Sequence, residues 1–213
     1  MGLKIITPPT VTPISVVGLD LLKEHLHEAT DVTDEDELIT AYLSAAWDLA
    51  QRHTWRQFLT AEYRYTLIDW PAQNPDQTHG RYLSEILIPR PPCQAVTAVN
   101  YIDTGGTLQA LTVDEDYIVD DESDVWSIRP AYGRCWPRVR RNNPKAVQIE
   151  FTAGYGNTLA DLPEVLLHAV RLQVGTWFLQ RESVDRARYS ELPNASKALL
   201  EAIEVRDERL ACL

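Results

Sequence analysis

The chain has 213 residues, 45% of them hydrophobic and 24% charged, which is ordinary globular composition with enough apolar matter for a sizeable core. Its 31 Asp and Glu against 20 Lys and Arg give a formal charge of -11. Such a surface repels phosphate backbones, which disfavours general nucleic-acid binding but suits a structure that DNA passes without sticking. No run approaches the roughly 18 apolar residues of a membrane span, MGLKIITPP lacks the features of a secretory signal, and the widely spaced Cys93, Cys135 and Cys212 fit reduced thiols.

Residues 12–60 read as helical. Val16, Leu19, Leu22 and Leu26 recur at helical spacing and predict a short first helix. Thr33 then offers an N-cap, with Asp34, Glu35 and Asp36 opposing the positive end of the helix dipole. The following Ile39, Tyr42, Leu43, Ala46, Ala50 and His53 form one apolar face of a long helix.

Residues 62–151 change period. Tyr63, Tyr65 and Leu67 alternate with Arg64, Thr66 and Ile68, as in a half-buried strand. EILIP follows, then AVTAVNYID and TLQALT around Gly105 and Gly106 as a hairpin, then DYIVD, VWSIRP and AVQIEF. Short strands with tight turns and no intervening helix predict an antiparallel sheet or small barrel. Beyond it, Leu166, Leu167, Val170, Val174, Trp177 and Phe178 make an apolar stripe behind Pro163, which suits a first helical turn, with Asp161 as cap or N′ residue. A last helix after Pro193 carries Ala198, Leu199, Ala202 and Ile203. The predicted fold is α+β: a helical bundle formed by the N- and C-terminal helices (residues 1–60 and 153–213) with an inserted antiparallel β domain (residues 61–152).

The strand-to-helix joint Gly154, Tyr155 and Gly156 resembles a phosphate loop at first sight. It lacks the Lys-Ser/Thr of a P-loop and the third glycine of a dinucleotide fingerprint, and it leaves an antiparallel sheet, so the glycines read as backbone freedom at a corner. His25 and His27 point different ways on a helix and read as exposed. His53 and His168 read as structural, and Glu35, Asp36 and Glu37 radiate rather than converge. HExxH, CxxC and GxSxG do not occur. The expectation is no catalytic residue, no cofactor and no metal.

RPAYGRCWPRVRRNNPK, residues 129–145, holds six cations and no acid. In so acidic a chain this long loop is a positive patch, with Tyr132 and Trp136 interleaved. Arg134, Trp136, Arg138, Arg140, Arg141 and Lys145 are the candidate interface. The readings are a solvated loop pinned by Trp136, a contact with an acidic partner surface (another copy included), or a contact with passing DNA. Residues 33–37 are one candidate acidic counterpart. The six tryptophans read mostly as core, and an exposed one would mark an interface.

The succession PPTVTPIS, TDEDELITAYLSAAWDLAQRHTWRQFL, IPRPPCQAVTAVNYID, DYIVD, RPAYGRCWP, VQIEFTAGYG and DLPEVLLHAVRLQVGTWFLQRES is similar to the head–tail connector (adaptor) proteins of long-tailed double-stranded DNA phages and of phage-derived gene transfer particles. The resemblance runs from about residue 8 to residue 200, and the ACL ending departs from it. It implies a structural virion protein with no catalytic residues, made in the host bacterial cytoplasm and located in the virion neck at the head–tail junction. About a dozen copies would form a homo-oligomeric ring, as closed symmetry allows. Its partners would be the portal protein above and the next neck or tail protein below, with no membrane, and DNA would pass through the channel without specific binding. The alternative is another neck component, a head completion or stopper protein bound below the connector.

Overall fold

The computed structural model describes residues 1–27, 33–71, 75–76, 81–82, 84–179 and 194–205. These form an α+β fold in two compact units. One is β, from Met1–Pro8 and Thr60–Gly154; the other is helical, from Pro9–Leu59 and Tyr155–Val205.

In the β unit, strands β1 (Gly2–Thr7), β2 (Ala61–Leu67), β6 (Cys93–Ile102), β7 (Leu108–Leu111) and β10 (Val147–Ala153) form a sheet in the order β1-β2-β10-β6-β7, every pair antiparallel. The sequence alternation sets its faces, since successive side chains point to opposite sides. Tyr63, Tyr65 and Leu67 of β2 lie opposite Phe151, Ile149 and Val147 of β10, all buried. Tyr63 and Phe151 stack at 5.4 Å between centroids. On the other face Arg64 donates from Nε and Nη2 to Glu150, its cross-strand neighbour, at 2.9 and 2.7 Å.

A second sheet, β5 (Ile86–Leu87), β9 (Ser127–Pro130) and β8 (Tyr117–Asp120), contributes Ile86, Tyr117 and Ile128 to the same core. Pro75–Asp76 (β3) and Arg81–Tyr82 (β4) form a separate antiparallel ribbon. Strand β1 is not foreseen by the sequence reading. It is exposed throughout, so no buried face imposes a clear alternation on it.

In the helical unit the predicted first helix is two. Helix α1 (Pro13–Val17) starts from a capping box in which Thr12 and Ser15 exchange side-chain to backbone hydrogen bonds, with Pro13 at the first position. Gly18, at φ 83°, ends it, and α2 (Leu19–Leu26) follows.

Helix α3 (Asp36–Thr54) does not use Thr33 as its side-chain cap. Glu35 occupies that position, and Thr33 accepts the Asp36 N–H with its carbonyl. The Asp36 carboxylate instead pairs with Lys23 of α2, a residue only 2% exposed.

Helices α4 (Glu164–Leu179) and α5 (Asn194–Ala202) complete the unit. Of the expected stripe of α4, Leu166, Leu167, Val170, Val174 and Phe178 are buried together with Ile39, Leu43, Ala46 and Trp47 of α3, and Trp177 is half-buried against them. Ser196 ties α5 to α4 by donating to the Ala169 carbonyl at 3.0 Å. Pro193, the ACL ending and Cys212 lie outside the described residues.

Candidate functional site

The basic loop leaves β9 at Pro130 and returns at β10. Its backbone is fixed at both ends: the Ala131 N–H donates to the Asp116 carbonyl at 3.0 Å and the Arg140 N–H to the Ile102 carbonyl at 2.9 Å. Between them Trp136 is buried, 5% exposed, and stacks on Trp70 at 4.3 Å with the rings 2° from parallel. Its indole Nε1–H donates to the Ser84 carbonyl at 2.8 Å. Trp136, expected at the interface, is therefore the anchor beneath it. An indole that buries both faces and spends its one donor inside the fold offers nothing to a partner.

That anchoring leaves Arg134, Arg138, Arg140, Arg141 and Lys145 exposed. Among the described residues none of these five side chains makes a hydrogen bond or ion pair. Arg129 differs, being paired with Asp120 at 3.6 Å. Arg138, Arg140 and Arg141 line an open depression of about 650 Å³ with Asp69, Thr104 and Val139. The Arg140 guanidinium lies over the β6–β7 turn, where a Cβ on Gly106 would stand 2.6 Å from Nη1. Tyr132, also in this loop, is fully exposed.

The expected acidic counterpart at residues 33–37 is partly committed, because Asp36 pairs with Lys23 inside the helical unit. The buried Trp136 accords with the reading of a loop pinned by it, and the exposed tryptophan lies elsewhere. Trp55, just beyond α3, is 51% exposed with a left-handed backbone at φ 59°. Its place after the last apolar turn of α3 is the only sequence signal for this.

The joint is built on Asp161. Its Oδ2 accepts the N–H groups of Asn157 and Thr158 at 3.1 and 2.9 Å and the Thr158 hydroxyl at 2.8 Å. A carboxylate thus occupies the donors that would otherwise face an anion, and these bonds, led by the Thr158 side chain, hold its pKa below the usual carboxylate value. Asp161 therefore caps the short 3₁₀ turn Leu159–Asp161 rather than α4. Gly156 is required by proximity, since a Cβ there would lie 2.2 Å from Asp161 Oδ2 and 2.4 Å from its Cγ. Gly154, at φ 132°, needs glycine's conformational range. The Tyr155 N–H donates to the Phe58 carbonyl at 2.9 Å, and its side chain packs against the helical core.

His25 is half-buried, not exposed, and its ring rests on Gly175 of α4, 3.7 Å from where a Cβ would be. Among the described residues no group of three or more His, Cys, Asp or Glu is placed to hold a metal ion. No helix among them is long and apolar enough to cross a membrane.

No protein-family model and no curated protein matches this chain. Among solved structures it is similar to a chain in the neck of an empty GTA particle computed with C6 symmetry, at 23% identity and TM-score 0.70, over 96% of this chain and 95% of that one. The same coverage holds for a chain in the virion of a native gene transfer agent (GTA) particle, at 22% identity and TM-score 0.69. It holds again for the neck of a native GTA particle computed with C12 symmetry, at 21% and 0.67. The likeness is one of fold. It spans both units.

Proposed function

We propose that this protein is a head–tail connector, or adaptor, of a phage or gene transfer particle. In this reading copies of the chain form a ring below the portal in the virion neck, extend the DNA channel and dock the next neck or tail protein. The terminal helices form its core as a bundle, with residues 61–152 as an inserted β domain. The protein is made in the bacterial host and carries out no catalysis.

The observation that carries the proposal is the end-to-end likeness of fold to chains from particle necks computed with C6 and C12 symmetry. Closed rings use two different, complementary surfaces on each subunit. The exposed Arg138, Arg140 and Arg141, unpaired among the described residues of an acidic chain, supply one such surface. The net charge of -11 suits a channel past which DNA slides, because acidic walls repel phosphate.

Binding of the purified chain to isolated portal protein tests the position. A connector binds portal directly. A completion or stopper protein binds only once another neck protein is present, and that result would replace this reading with the alternative.

A further inference from the structure

The β8–β9 hairpin ends in Asp121, Glu122, Ser123 and Asp124, all exposed. Asp120, just before the tip, is held by Arg129. Asp121 and Glu122 make no ion pair or hydrogen bond among the described residues. The tip follows the Asp120–Ser127 pair, whereas the arginine loop leaves the hairpin at its other end, beyond the Tyr117–Pro130 pair. Trp126, at the return of the hairpin, accepts the Ile88 N–H at 2.8 Å, and the chain turns at Arg90 before entering β6 at Cys93. The arginine loop is bonded at the opposite end of β6, through Arg140 to Ile102. Among the described residues no ion pair joins the two patches within the chain.

We infer that the acidic tip of the β8–β9 hairpin of one copy docks into the depression lined by Arg138, Arg140 and Arg141 of the next copy. The inference rests on the ring reading above and names the second surface that a ring needs. Two complementary patches at opposite ends cannot satisfy each other within one chain, and between copies they make a head-to-tail contact, which closes into a ring or runs on as a filament. The chemistry matches: the planar guanidinium fork donates two parallel hydrogen bonds to a carboxylate.

The test is a charge swap in the full-length chain. One variant carries Arg138→Glu, Arg140→Glu and Arg141→Glu; a second carries Asp121→Lys and Glu122→Lys; a third carries all five substitutions. Circular dichroism establishes that each is folded, since every altered side chain is exposed. Assembly is read by electron microscopy of particles made with each variant as the sole copy, and by sedimentation of purified protein.

Either half-swap alone should abolish rings in particles, or raise the concentration needed for assembly at least about tenfold. The five-fold variant should assemble again. An equal mixture of the two half-swaps should do so too, because each acidic depression then meets a lysine tip. Half-swaps that assemble like wild type would overturn the inference and leave the ring reading intact. So would losses that neither the combination nor the mixture restores. Wild-type particles whose necks contain no ring of this chain would overturn both.

Discussion

Replacing Trp136 by alanine removes the side chain that holds the basic loop to the β unit. The indole is 5% exposed, stacks on Trp70 at 4.3 Å and donates to the Ser84 carbonyl. Deleting a buried indole costs about 3–5 kcal/mol, including the cavity left behind. Of this, the aromatic pair accounts for about 0.5–1.5 kcal/mol beyond area burial, and the hydrogen bond for about 1 kcal/mol. Trp136→Phe keeps most of the apolar contact and loses the donor, so it should cost about 1–2 kcal/mol, with the Ser84 carbonyl left unpaired by that indole. Urea unfolding followed by circular dichroism measures both, with the β unit's transition analysed separately if the two units unfold apart. An alanine variant destabilised by less than about 1 kcal/mol would refute the buried-anchor geometry. With it would go the argument that the arginines stand in a fixed array.

Three further outcomes follow from the geometry. Gly156→Ala should destabilise the joint by about 1–3 kcal/mol, because the new Cβ strikes the base of the Asp161 carboxylate and not a flexible tip; in an Asp161→Gly background, which also removes the Asp161 Cβ that would stand 2.5 Å away, the same change should cost much less by urea unfolding. His25 is held below its usual pKa, first by burial and then by Arg171, His168 and His27. The folded state therefore binds its proton less readily than the unfolded chain, and the stability this contributes is complete above the unfolded pKa of about 6.5 and falls as pH drops through the folded value; His25→Gln should flatten the loss of thermal stability between about pH 7 and pH 5. In a Cys212→Ser chain, maleimide should label exposed Cys135 quickly and spare Cys93, whose thiol is buried, faces the Thr152 carbonyl and is pushed up to about 12; equal labelling of the two would contradict that burial.

What the sequence discloses follows from where the information lies. The stripe of α4 and the alternation of Tyr63, Tyr65 and Leu67 are legible because each faces a core that forces periodicity on the chain. Leu3, Ile5 and Ile6 face no such core and gave no strand signal. The split between α1 and α2 depends on the backbone of a single Gly18, whose φ of 83° a composition window does not weigh. The basic loop is visible because charge can be counted without knowing the fold. That Trp136 is buried and Trp55 exposed depends on which partners each meets, and those contacts join residues far apart in the chain. The seven carboxylates between residues 114 and 124 were equally countable. Their value as a proposed second surface emerges only when the strand register sets the hairpin tip and the start of the arginine loop at opposite ends of the β8–β9 hairpin.

The most direct measurement is a cryo-electron-microscopy reconstruction of the particle neck, with this chain fitted into the density. A connector should appear as a closed ring directly beneath the portal, around the DNA channel, with the β8–β9 hairpin of each copy against the arginine loop of its neighbour. Finding the chain one layer further down, or outside any ring, would contradict the proposed function.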